Sequence, residues 1–243
     1  MSRPAEATRA DLIEAAIETF AAKGFEGASV REIAGAANAN LAAISYHFGG
    51  KEGLYREALK HSVSVFAMPS FDPASIDALP REEALRAFLG EQLSAMRRPT
   101  EAARHLRIFA WEDLARTDVF RDFLATEPLP FLEVGAALVR RYLPGADAEE
   151  RAVALLWLVQ QAEPFVRNPE RLTDPPMRLR IDAGFVERLT DTLATLVGAG
   201  LEALAARHAA IESAARHAPT GLAARHAPTE PAARQPSPVA GVA

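Results

Sequence analysis

The chain has 243 residues, no cysteine and a formal net charge of −5. Without cysteine, disulfides and thiolate metal sites are excluded, and the composition fits a reducing cytoplasm. The mildly acidic balance offers no bulk attraction to nucleic acid, so any such contact must come from locally concentrated positive charge.

The opening "MSRPAEATRADLIEAA" lacks the apolar core of a signal peptide, and no uninterrupted apolar run approaches the roughly 18 residues of a spanning helix. A soluble cytoplasmic protein without a membrane partner is expected. Residues 8–24 read as an amphipathic helix, with Leu12, Ile13, Ala16, Ile17 and Phe20 on one stripe. Thr8 with Asp11 resembles a capping box, and Gly24 stands where a left-handed residue would stop the helix. A second, short helix opens at "SVRE", with Ser29 as cap, Glu32 placed to bond back to its amide, and Ile33, Ala34 and Ala37 inward. Asn38 tolerates the left-handed conformation of a tight turn. Asn40 caps a third helix, whose Leu41, Ile44 and Phe48 share a face and which Gly49 and Gly50 end. Lys51 starts a fourth, with Leu54, Ala58 and Leu59 inward. Two short helices joined by so tight a turn form a helix-turn-helix, and the second is small enough for a DNA major groove.

"PSFDPASIDALP" is a loop, and the rest of the core is helical. Residues 81–97 align Leu85, Phe88, Leu89, Leu93 and Met96, and residues 101–116 align Leu106, Phe109, Ala110 and Leu114. Pro128 and Pro130 must break the segment 118–143. Residues 147–166, with "AVALLWLVQQA", are apolar nearly all round and are expected to be buried on more than one side. A long last helix is expected over 178–206, with Ile181, Phe185, Leu189, Leu193, Leu196, Leu201 and Leu204 inward. Beyond it a nine-residue unit, "AARHAPTGL" and its variants, repeats. Nine residues turn a helix about 180° beyond whole turns, so no continuous apolar face forms, and 212–243 read as a disordered tail.

Catalytic and metal signatures are missing. His208, His217 and His226 are equivalent positions of the repeat without ligand partners at metal spacing. "GGK" lacks the earlier glycine, the following Ser or Thr and the preceding strand of a phosphate loop. Neither a metal nor a cofactor is expected, and the chain is not expected to be an enzyme.

At "SVREIAGAANANLAAISYHFGGKEGLY" the sequence resembles the N-terminal DNA-binding domain of the TetR family of bacterial transcription regulators, over roughly residues 8–60. "YHFGGKEGLY", with the later "HLRIFAWEDL" and "EPLP", resembles its CecR-like branch. Asn38 replaces the family's usual turn glycine, and Ser45 stands where an aromatic residue or Asn is common. The resemblance implies an all-α fold with a helix-turn-helix domain (1–50), a connecting helix (51–68) and a helical effector-binding and dimerisation domain (81–211), while the repeat tail (212–243) is not a feature of the family.

It also implies roles. Ser29, Tyr46, His47 and Lys51 would contact phosphates, while Asn40, Leu41, Ala42, Ala43 and Ser45 lie on the helix that would face bases. That face has no Arg or Gln for a bidentate contact to guanine, so shape and phosphate positioning would carry much of the specificity. Residues 1–65 sum to −1, with most acids on the first helix, where they can face away from DNA. Phe88, His105, Phe109, Trp111, Phe123, Phe131, Trp157 and Phe165 are candidates to line an effector cavity, core packing being the alternative for each. The helices at 147–166 and 178–206 would form a homodimer on a double-stranded palindromic operator, from which a small apolar or aromatic effector releases it. The alternative is a helical ligand-binding protein that no longer binds an operator.

Overall fold

The structure, a computed structural model, describes residues 5–66, 76 and 78–217. Eleven α-helices run in order: α1 (Ala5–Gly27), α2 (Val30–Ala36), α3 (Leu41–Phe48), α4 (Lys51–Phe66), α5 (Arg81–Leu93), α6 (Pro99–Ala115), α7 (Asp118–Thr126), α8 (Pro130–Tyr142), α9 (Ala148–Val159), α10 (Glu163–Arg167) and α11 (Glu170–Thr173) lead to the long α12 (Phe185–His217), with a 3-10 turn at Ser94–Arg97 after α5 and no strand among the described residues.

The helix boundaries follow local chemistry. Gly24 takes φ 71°, and α1 kinks there instead of ending, running on to Gly27. The side chain of Thr8 lies outside the described residues. Ser29 caps α2 by accepting from the Arg31 amide at 3.3 Å, but Glu32 does not reach back. Its carboxylate is held by Lys23 at 2.6 Å instead. Asn38 sits at φ 50°, and the Asn40 side chain accepts from the Ala42 amide at 2.9 Å. Gly49 and Gly50, at φ 73° and 132°, turn the chain from α3 into α4. Pro130 stands in the first turn of α8, where its missing N–H costs nothing.

Two apolar cores result. The first packs α1–α4 together with Ile108 of α6, Val119 and Phe123 of α7, and Leu129. The second joins α5, α8, α9 and α12 around Phe88, Leu138 and Leu201. Phe131 packs against both. The N-terminal helices therefore do not hang from α4 alone. On α1, Glu14 and Glu18 reach Arg104 of α6 at 3.1 and 2.9 Å. Trp111 of α6 lies over Gly24 and donates its indole N–H to the Ala21 carbonyl at 3.1 Å.

Several expectations need correction. On α6 the buried face is Ala102, His105, Ile108 and Glu112, while Leu114 is 85% exposed. Leu41 points outward and only Ile44 of α3 is fully buried. The segment 147–166 breaks after Val159, and Val153, Leu156 and Trp157 are exposed. The last helix starts at Phe185, not 178, because Arg178 is left-handed (φ 46°) and the Asp182 carboxylate turns back onto the Gly184 amide. Ile181, before this start, is exposed, and so is Leu196 on the helix itself. That helix also continues to His217, so residues 212–217, assigned to the tail, are helical. Residues 218–243 lie outside the described residues.

A buried carboxylate holds the joint. Glu112 is 2% exposed and accepts from the Tyr55 hydroxyl of α4 at 2.6 Å, and from the amide and hydroxyl of Thr117, each at 2.9 Å. Burial and this carboxylate raise the Tyr55 pKa well above its ordinary value. Between α3 and α4, a Cβ on Gly53 would stand 1.8 Å from the Phe48 carbonyl oxygen.

Tyr55→Phe is expected to cost about 1–3 kcal/mol in urea unfolding, because it leaves an acceptor of Glu112 unpaired. Above about pH 10 the unfolded chain releases the phenol proton while the native state retains it, so stability falls as pH rises. The wild type should therefore lose stability more steeply than Tyr55→Phe in alkaline titrations of the unfolding midpoint. Gly53→Ala should cost at least about 1–3 kcal/mol in the same assay, since backbone must move to admit the methyl.

Candidate functional site

The helix-turn-helix presents one face. With Ile44 anchoring α3, the opposite side carries Leu41, Ala42, Ser45 and Tyr46, all exposed. Tyr46 is 84% exposed, and Leu41 adds apolar surface beside it. The Leu41 side chain gains nothing from water there and suits contact with base edges, while the Tyr46 hydroxyl stays open to a polar partner. Ala43 and His47 are half-buried, and the His47 ring meets Tyr46 edge-on with centroids 4.9 Å apart.

The polar candidates are partly committed. The Ser29 hydroxyl accepts from an amide but keeps its proton to donate. The Asn40 oxygen is taken by the helix cap, which favours its NH2 group as the outward-facing donor. Lys51 is not simply solvated. Its ammonium lies 3.4 Å from the Glu26 carbonyl and 4.6 Å above the Phe25 ring. These contacts hold it at the start of α4, beside the end of α3. Arg31, two residues after Ser29, was passed over as a contact by the motif reading. Its side chain is exposed on α2 and takes no ion pair among the described residues. The acids of the region are largely absorbed: Glu14 and Glu18 face α6, Glu32 binds Lys23, and Glu57 binds Arg9 and Lys60. Of these partners only Arg104 lies outside residues 1–65, and its single charge offsets the −1 of that stretch.

A cavity of about 280 Å³ lies between α4, α6, α7, α8, α9 and α10. Of the eight residues expected to line an effector cavity, Phe109 and Phe131 line this one. Phe120, Leu106, Leu124 and Val63 complete much of its apolar wall. The other six candidates are placed elsewhere. Phe88 and Phe123 are core residues, 0% and 1% exposed. His105 is buried at the α4–α6 contact, its Nδ1 3.1 Å from the Ser62 hydroxyl. Trp111 is spent on α1, Trp157 faces Gly200 and solvent, and Phe165 packs at the edge of the second core. Aromatic character alone does not distinguish a cavity wall from a core, because both demand the same apolar residue. Among the described residues no group of His, Cys, Asp or Glu could hold a metal ion.

Residues 12–58 match the model of the bacterial regulatory proteins, tetR family. The chain is 33% identical over 128 residues to the HTH-type transcriptional repressor NicS of Pseudomonas putida KT2440, covering 53% of this chain and 51% of that one. It is 22% identical over 182 residues to the HTH-type transcriptional regulator RutR of Escherichia coli K12, covering 73% and 84%. Its fold matches the crystal structure of the transcriptional regulator FadR from Bacillus subtilis in complex with stearoyl-CoA, with a TM-score of 0.56 at 15% identity over 77% and 96% of the two chains. The helix-turn-helix of this chain, residues 12–58, is thus of the tetR type of bacterial regulatory proteins. It spans about half the length of NicS, and nothing in these relatives singles out the CecR-like branch.

On DNA, Lys51→Ala should weaken binding to all sequences alike and lower the salt slope by about 0.9, the share of one phosphate. Leu41→Ala and Asn40→Ala should instead relax preference at single base pairs, by about 1–3 kcal/mol each. Binding titrations over a salt series on matched and mismatched sites separate the two patterns, and equal effects on both sites would refute the division.

Proposed function

We propose that the chain is a transcriptional regulator that binds a palindromic operator as a homodimer and leaves it when a small apolar or aromatic effector enters the α4–α10 cavity. The observation that carries this reading is the span of α4. Its first residue, Lys51, stands beside the recognition helix, and its Val63 is part of the cavity wall. One rigid helix thus touches both surfaces. A ligand acts here only through a difference in affinity between the DNA-competent and incompetent states.

Dimerisation has its own support. Val153, Leu156 and Trp157 on α9 and Leu196 on α12 are 61%, 62%, 42% and 63% exposed. Large apolar side chains collected on two helices mark an interaction surface. The stretch Phe185–Ile211 is long and apolar enough to cross a bilayer by length and composition. Its acids, however, pair with α5: Asp191 with Arg86 at 2.7 Å and Glu202 with Arg81 at 3.0 Å. This pairing favours packing within a cytoplasmic protein. The reading assigns the chain no reaction.

Footprinting of the DNA upstream of the chain's own gene tests the reading. Protection of two half-sites about one DNA turn apart is expected, and no protected palindrome at low salt would sink it. The double variant Leu156→Glu with Leu196→Glu should sediment as a monomer and bind the palindrome about 10²-fold or more weakly.

A further inference from the structure

The cavity wall is apolar, but its mouth is charged in an unbalanced way. Asp113, Glu163 and Arg167 are its ionisable lining residues, two carboxylates against one guanidinium. Arg167 bridges them, meeting Asp113 at 2.5 Å and also pairing with Glu163 four residues earlier on α10. One negative charge is left over. A ligand carboxylate would bring the set to two surplus negative charges, whereas a ligand ammonium would neutralise it. Glu163 and Arg167 lie on one short helix and stay paired if Asp113 is drawn away. On the inner side, the amide nitrogen of Gln92 is buried with no acceptor among the described residues. The volume of about 280 Å³ matches on the order of ten water volumes, too little for a long acyl chain with a nucleotide head.

We propose that the effector is a small arylalkyl amine of about ten non-hydrogen atoms, whose ring packs against Phe109 and Phe131 and whose ammonium takes Asp113 from Arg167. The proposal rests on the effector reading above and names its chemical class. It also supplies the regulatory link. Asp113 follows Glu112, the residue that holds Tyr55 of α4 and Thr117 at the start of α7. Drawing Asp113 toward the ligand displaces the last turn of α6. The strain falls on the Glu112–Tyr55 bond and on α4, which carries the recognition helix.

Calorimetric titration of the full chain with 4-phenylbutylamine, 4-phenylbutan-1-ol and 4-phenylbutanoate tests this. The three share one ring and chain and differ in head group. The amine should bind at least tenfold more tightly than the other two, Asp113→Asn should erase that preference, and Glu163→Gln should reduce it less. Asp113 is exposed on its helix, so the variant is expected to fold, and its unfolding midpoint checks that. Equal or tighter binding of the alcohol or the acid overturns the proposal, as does an unchanged preference in Asp113→Asn or no binding of any probe. Gel shifts on the same samples address the other half. Release of bound operator by the amine supports the link to α4, and amine binding that leaves the operator occupied refutes it. A chain that binds no operator at all sinks the regulator reading, while the calorimetry still decides the ligand class.

Discussion

The carboxylate of Glu112 is the contact on which the architecture turns. A carboxylate removed from water is costly unless its lone pairs are filled. Here three donors fill them, from Tyr55 on α4 and from Thr117. Thr117 in turn caps α7, accepting from the Phe120 amide at 3.2 Å. One side chain therefore joins three helices at a point where apolar packing alone would allow them to slide. Around it, Phe20 and Phe25 enclose the Tyr55 ring, with centroids 4.6 and 4.9 Å away. The direction of α4 is fixed by the Tyr55–Glu112 bond in its second turn and by the Gly53–Phe48 approach in its first. The pose of the recognition helix follows from both.

The N-terminal helices share their core with α6 and α7, so no flexible joint separates the helix-turn-helix from the rest. The same α6 and α7 supply Phe109 and Phe120 to the cavity, where their rings meet edge-on 5.9 Å apart. A change in the cavity has two routes to α3, through the shared core and through the Glu112 node. On the outer side, Arg56 and Lys60 of α4 reach Thr126, the last residue of α7, and Glu127 just after it, at 3.0 and 2.8 Å. These exposed contacts add little energy.

Much of the N-terminal half was readable because its signals are local. The Ser29 and Asn40 caps, the left-handed Asn38 and the Gly49–Gly50 turn depend on neighbours a few positions away and stand where the sequence puts them, whereas Gly24 kinks its helix instead of ending it and Leu41 leaves its stripe for solvent. The cavity was not readable, because lining is a property of which helices meet. Phe109 and Phe123 look alike in sequence, yet one lines a void and the other fills a core. Glu112 was missed for a related reason: a charged residue in an amphipathic pattern is taken as solvent-facing, and its partner Tyr55 lies 57 positions away. Gly53 was overshadowed by the glycine pair before it, although it is the position where a side chain has no room. The exposed face of α9 was read as buried because a continuous apolar run cannot say whether its cover is the same chain or a second copy.

The two tryptophans of the chain stand at the two surfaces that must change if this reading holds. Trp111 bridges α6 to the kink of α1, and Trp157 lies on the outward face of α9, 42% exposed. The molecule thus carries a pair of intrinsic optical reporters. Burial against a second subunit would shift the emission of Trp157 to the blue, while loosening of the α1 contact would alter that of Trp111. With each indole replaced in turn by phenylalanine, assembly and the movement of the N-terminal helices become separately visible in the same unlabelled protein.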